Sequence, residues 1–216
     1  MKRIKLTMGE EIANAITHGI GVILSLAALI LLIITSFKYG KTADITGAFI
    51  FGSSMFFLYL MSTLCHAFAL KENSTKKVFR ILDHSAIYIL IAGTYTPFCL
   101  SIIGGTYGYT ILAIQWTLAL IGILFRAIFY DRFTPVHIAI YLAMGWMVVL
   151  FIKSLAPLIS SAGTILILAG GLFYSIGIIF YAIRMFKYHH MIWHLCVMAG
   201  TACHFFMIYL YVLPRG

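Results

Sequence analysis

Charged side chains are scarce in this chain: they make up 10% of 216 residues, against 62% hydrophobic, and the mean hydropathy is +1.03. A water-soluble domain has too little interior to hide that much apolar surface, so the principal solvent must be lipid. Strand-like alternation of apolar and polar residues is missing, which argues against a transmembrane barrel. No connector between apolar stretches is long enough to form a soluble domain. Cysteine pairs of the CxxC type are absent as well. Cys65, Cys99, Cys196 and Cys203 stand singly inside apolar runs, where they read as small buried side chains rather than a disulfide framework. The basic N-terminus leads through Glu10 and Glu11 into a full-length apolar run with no small-residue cleavage signature, so that run is expected to be a retained first span and not a signal peptide.

What remains is a series of apolar runs of spanning length. A hydrocarbon core about 30 Å thick takes about 20 apolar residues per helical crossing. Seven runs meet that requirement, at about 18–37, 45–70, 81–103, 109–129, 136–153, 161–183 and 191–213. The expectation is an all-α, polytopic seven-helix bundle, with residues 1–216 forming a single integral membrane domain. The connections Tyr130–Pro135 and Arg184–His190 are short, which makes the spans they join antiparallel neighbours.

Net charge +9 suggests nucleic acid until its distribution is mapped. If alternate connectors share a side, one side carries Lys2, Arg3, Lys5, Lys71, Lys76, Lys77, Arg80, Arg126, Arg132, Arg184 and Lys187. The other carries Lys38, Lys41, Lys153 and Arg215. Eleven basic residues against four is the positive-inside asymmetry, so the N-terminus is expected to be cytoplasmic and the C-terminus extracytoplasmic. The basic excess therefore reports topology in a multi-pass cell-membrane protein, and no nucleic-acid partner is expected. A retinal Schiff base is excluded too, because no span carries a lysine near its centre. The common seven-span receptors, with an external N-terminus, have the opposite orientation.

Ionisable residues within spans are costly and point to function. By this topology His66 near the end of the second span, Asp83 near the start of the third, and His190 and His194 at the opening of the seventh all lie at one membrane face. His18 at the start of the first span joins the same layer. His190 and His194 are four residues apart, so on a helix they share a face and can hold one metal ion. Ser62 stands in the same relation to His66. The histidine pair has the spacing of the zinc-protease motif HExxH, but Met191 follows His190 where that motif has glutamate, so a base must come from elsewhere. Asp83 is the intramembrane carboxylate at that level. Three neutral imidazoles with an open position form the ligand set of a catalytic zinc. His189, His84 and His137 read as interfacial or as supporting the ligands, and His189 and His18 are candidates for that support. His204, ten residues beyond His194, is expected to hydrogen-bond another helix. Pro97 should kink the third span. Gly47, Gly52, Ser53 and Ser54, and in the sixth span Gly170, Gly171, Ser175 and Gly177, offer small surfaces for close helix packing.

Four segments carry a resemblance: EEIANAITHGIG (10–21), STLCH (62–66), LDHSAIYILIAGTYTPF (82–98) and HHMIWHLCVMAGTACHFF (189–206). Over essentially its full length the chain resembles the hemolysin III proteins, the bacterial branch of the progestin and adipoQ receptor (PAQR) family. The resemblance implies seven helices with a cytoplasmic N-terminus. It also implies one zinc ion held by His66, His190 and His194, with Asp83 contacting the metal through water and Ser62 beside it. Cys65 stands where many relatives carry tyrosine, next to a ligand. Eukaryotic members, the adiponectin receptors, are associated with ceramide hydrolysis, and bacterial members are named for haemolysis. The expected function is thus a zinc-dependent hydrolase of a lipid amide or ester entering from the bilayer, with Asp83 as proton carrier and Ser62 assisting. The alternatives are a zinc-stabilised membrane receptor or sensor, and a pore-forming cytolysin.

Overall fold

A computed structural model describes residues 6–69, 74–130 and 132–213. Among these residues all regular structure is helical, and seven helical segments are long and apolar enough to cross a membrane. Of the flanking charges counted above, Lys2, Arg3, Lys5, Lys71 and Arg215 lie outside the described residues.

The first helix, α1 (Met8–Tyr39), shows how the chain is adapted to lipid. Thr7 caps it and Glu10 closes a capping box: the Thr7 backbone N–H donates to Glu10 Oε2 at 2.9 Å. Its buried stripe contains Glu10, Asn14, His18, Ser25 and Ser36, while Ile12, Ile16, Ile20, Ile23 and Ile34 point outward. A soluble amphipathic helix has the reverse arrangement. Here the polar residues are inside and the apolar ones face hydrocarbon, the pattern expected where lipid is the solvent.

Helix α2 (Thr42–Ala67) packs against α1 and against α3 (Ser74–Pro97) through its small residues. A methyl group on Gly47 would come 2.7 Å from Pro97 Cα, and one on Gly52 would come 2.4 Å from a Leu29 side-chain carbon. The backbones therefore approach closely only because these side chains are missing. After Pro97 the third span continues as a π-helical stretch, Phe98–Ile103, where the Gly104 N–H donates to the Cys99 carbonyl at 3.0 Å. Pro97 has no N–H to give to the regular ladder, and the widened turn satisfies the carbonyls that a sharp kink would leave free.

Helix α4 (Gly105–Phe129) follows, and its Arg126, counted above as a flanking charge, is fully buried. The fifth span is broken. Helix α5 (Thr134–Gly145) stops at Trp146–Met147 and α6 (Val148–Leu155) resumes, ending in a short 3₁₀ turn, Ala156–Leu158. Side chains from neighbouring helices satisfy the backbone at the break. The Tyr95 hydroxyl donates to the Gly145 carbonyl at 2.8 Å and accepts from the Val148 N–H at 2.9 Å. Gln115 donates to the Met144 carbonyl at 2.9 Å. Irregular backbone at membrane depth is tolerable only with such internal partners.

Helices α7 (Ser161–Ala182) and α8 (His189–Tyr211) form the last antiparallel pair, and α8 packs back against α1, closing the bundle. Tyr188, the residue before α8, sits in the left-handed region at φ 67°. Its N–H donates to Glu10 Oε1 at 3.2 Å, and Arg184 lies 3.5 Å from the same carboxylate. The start of α8, and with it the direction of the His190–His194 face, is thereby pinned to the start of α1.

Candidate metal centre

At the end of the bundle where α1 and α8 begin and α2 finishes, three imidazoles meet. One ligand nitrogen from each of His66, His190 and His194 lies within 4.8 Å of the others. Their ring centroids are 5.1, 5.0 and 4.7 Å apart pairwise. His66 arrives from the last turn of α2 and the other two from successive turns of α8, so the cluster joins two elements far apart in sequence.

The hydrogen bonds around the rings determine which nitrogens are free to bind. His66 Nδ1 lies 2.6 Å from Glu11 Oε2, to which it donates, leaving Nε2 as the lone-pair nitrogen. That Nε2 is buried and has no hydrogen-bond partner among the described residues. His194 Nδ1 faces the Asn14 carbonyl at 3.3 Å, and a carbonyl can only accept, so Nδ1 carries the proton here as well. The Thr17 hydroxyl, 3.4 Å from the same nitrogen, already donates to the Ala13 carbonyl at 2.7 Å. In its neutral form each ring then has its second nitrogen available, which is how metal-ligating histidines are oriented by their outer partners. The donor set fits a divalent ion that favours imidazole, zinc foremost.

Glu11 is the participant that sequence reasoning passed over. The sequence places it ahead of the first apolar run, and in the structure it lies one turn before the buried Asn14 and two turns before His18 on the first helix. The detectable signal was that helical spacing, EExxNxxxH, on a face otherwise reserved for buried residues.

The other candidates fall around the cluster. His18 stacks face to face on His194, with centroids 3.5 Å apart and 8° between planes, and its edge meets Tyr59 at 5.1 Å. His189 donates from Nδ1 to the Phe180 carbonyl at 2.7 Å, closing the end of α7 beside the site. Asp83 and Ser62 line the same cavity as His18, His190 and His194. His84 donates from Nδ1 to the Arg80 carbonyl at 2.8 Å and accepts from the Tyr181 hydroxyl at 3.0 Å, bracing α3 against α7. His137 pairs with the Tyr88 hydroxyl at 2.7 Å, away from the cluster, and His204 donates from Nε2 to the Ile167 carbonyl at 3.3 Å.

The cavity has a volume of about 120 Å³ and runs from the histidine cluster deep into the bundle. Leu58, Ile87, Phe98, Phe151 and Leu155 give it largely hydrocarbon walls. A shallower groove on the outer side, lined by Glu11, Ile12, Ala15, Ile16, His66 and Ala67, reaches the Glu11–His66 pair from outside the bundle. The arrangement combines an imidazole cluster, a carboxyl and a hydroxyl at one end of an apolar chamber.

Comparison with known proteins agrees in extent with this architecture. The family described as "Haemolysin-III related" matches residues 6–205. The chain is 49% identical over 216 residues to a protein named "Hemolysin-3" from Bacillus cereus, covering 100% of this chain and 98% of the relative. It is 50% identical over 205 residues to a "Hemolysin-3 homolog" from Bacillus subtilis (strain 168), covering 95% of each. A more distant similarity, 27% over 214 residues and covering 97% of this chain and 87% of the relative, is to the "Monocyte to macrophage differentiation factor" of Homo sapiens.

Proposed function

This chain belongs to the haemolysin-III related family of multi-pass membrane proteins, and on that premise we propose that it is a zinc-dependent hydrolase of a lipid amide or ester. The observation carrying this reading is the convergence of three imidazoles whose ligand nitrogens lie within 4.8 Å, at one end of an apolar cavity that is also lined by a carboxyl and a hydroxyl. His66, His190 and His194 would hold the ion. A zinc ion so bound acts as a Lewis acid and lowers the pKa of a coordinated water towards about 7.

The protein's own groups have defined parts in this reading. Glu11 keeps His66 in the tautomer that leaves Nε2 free, and Asn14 does the same for His194. Asp83 takes the proton of the attacking water and returns it to the leaving nitrogen or oxygen. Ser62, which lines the same cavity as Asp83, offers its O–H to the oxyanion that develops at the carbonyl. The acyl chain occupies the apolar chamber, excluding bulk water from the reacting group. The site would face the cytoplasm, since the described basic residues Lys76, Lys77, Arg80, Arg132, Arg184 and Lys187 gather at that end.

The test is turnover of a panel of lipid amides and esters by the purified protein in lipid nanodiscs, read by mass spectrometry. Product formation that stops on chelation and returns with zinc supports the reading; no chelator-sensitive product from any panel member rejects it. Bacterial relatives carry haemolysin in their names, but a conducting path would need polar walls from face to face, and the ionisable groups here concentrate at one end.

A further inference from the structure

The deep half of the cavity has a hydrogen-bonding character distinct from that of the metal end. Six side chains with polar atoms line it: Thr94, Tyr95, Trp146, Tyr174, Ser175 and His204. Every proton they carry is already directed into the protein. Thr94 donates to the Leu90 carbonyl at 2.8 Å, Tyr95 to that of Gly145 at 2.8 Å, and Ser175 to that of Gly171 at 2.8 Å. The Trp146 indole N–H donates to Ser175 at 2.9 Å. Thr201 spends its proton on the Val197 carbonyl at 2.8 Å, so in its 2.8 Å contact with Tyr174 the tyrosine must be the donor. His204 donates from Nε2 to the Ile167 carbonyl, which makes Nδ1 the lone-pair nitrogen. This Nδ1 is buried and has no hydrogen-bond partner among the described residues.

The wall therefore offers acceptors and no donors. The acceptors with lone pairs left over are His204 Nδ1, the Tyr174 oxygen and the Thr94 oxygen. A buried acceptor without a partner is costly, and the group that satisfies it must bring a proton. A carboxylate, phosphate or ester carbonyl has none to bring. A hydroxyl or an amide N–H does. The geometry also fixes the distance: ten residues of α8 separate His194 from His204, about 15 Å along a helix. The ring is held at that depth by close packing, since a methyl on Gly170 would come 2.3 Å from His204 Nε2.

We propose that the deep half of the cavity selects acyl lipids bearing a hydroxyl midway along the chain, through His204 Nδ1, with the Tyr174 ring 5.6 Å from the His204 ring. The inference rests on reading the cavity as the chamber for a lipid chain whose carbonyl lies at the histidine cluster. It makes His204 a specificity-determining residue, distant from the reacting atoms.

The test uses purified, chelator-stripped protein in nanodiscs, so that binding is read without turnover. A fluorescent acyl probe is displaced by octadecanoic acid, by the same acid hydroxylated midway along its chain, and by the isomer hydroxylated beside the carbonyl. Wild type should bind the mid-chain hydroxy acid about fivefold more tightly than either competitor, the value of one net hydrogen bond. His204→Leu should lose that preference while binding the plain acid as before, and His204→Gln, which keeps an acceptor, should retain most of it. Equal displacement by the three acids in wild type would overturn the proposal, as would an undiminished preference in His204→Leu. If the preference holds but no lipid is hydrolysed by zinc-loaded protein, the hydrolase reading fails and the chain selectivity stands.

Discussion

His66 Nδ1 and the Glu11 carboxylate meet at 2.6 Å, joining the last turn of one helix to the first turns of another across 55 residues of sequence. The contact fixes the His66 ring so that its other nitrogen faces His190 and His194. A carboxylate behind a metal-ligating imidazole raises its basicity and locks its orientation. Glu11→Ala should therefore weaken zinc binding about 10- to 100-fold while the protein still purifies as a folded species. Competition against a chromophoric chelator reads this directly, and wild-type affinity in the variant would reduce the contact to a helix-end tie.

Asp83→Asn keeps size and hydrogen bonding but removes the proton acceptor. Zinc content should stay at the wild-type level, because the three imidazoles are untouched. Hydrolysis should fall by about 10²- to 10⁴-fold, the range for loss of a general acid–base group. Full activity in this variant would remove Asp83 from the mechanism.

Close packing at Gly47 makes a prediction about stability alone. A methyl there meets the Pro97 backbone at 2.7 Å, and backbone at the π-helical junction cannot step aside as a flexible side chain can. Gly47→Ala should destabilise the protein by about 1–3 kcal/mol, as overpacking does elsewhere. Thermal unfolding in detergent should register the loss, with zinc per folded molecule unchanged. An unaltered melting temperature would show that α2 and α3 can separate at no cost.

Orientation is open to an independent check. With the basic residues gathered at the site's end, an N-terminal tag should be reachable only from the cytoplasm and a C-terminal tag only from outside. Protease or impermeant-label accessibility in intact cells and in permeabilised cells distinguishes this from the inverted topology.

The all-helical seven-span architecture was legible because hydropathy is a local property: each run reports its own solvent. The meeting of His190 and His194 was legible for the same reason, since two residues one turn apart must share a face. Their meeting with His66 needed one further inference, that charge asymmetry puts the end of the second span and the start of the last at one membrane face. Glu11 was harder to recognise, because its partner lies on another helix and its neighbour Glu10, which performs the capping, accounts for an acidic first turn by itself. The break at Trp146–Met147 was not legible either. The local sequence there is continuously apolar with no proline, and the partners that help hold the break, Tyr95 and Gln115, reach it from the third and fourth spans. Arg126 was misread for a related reason: near a helix end a basic residue resembles a flanking charge, and only the packing of neighbouring helices buries it.

The central claim is that the imidazoles of α2 and α8 hold one divalent ion. The most direct measurement is elemental analysis of purified protein, wild type beside His190→Ala, after equilibration with zinc and removal of free metal. Close to one zinc per chain in wild type, and its loss from the variant, is the predicted result. Metal-free wild type, or a variant that keeps its full complement, would contradict the account.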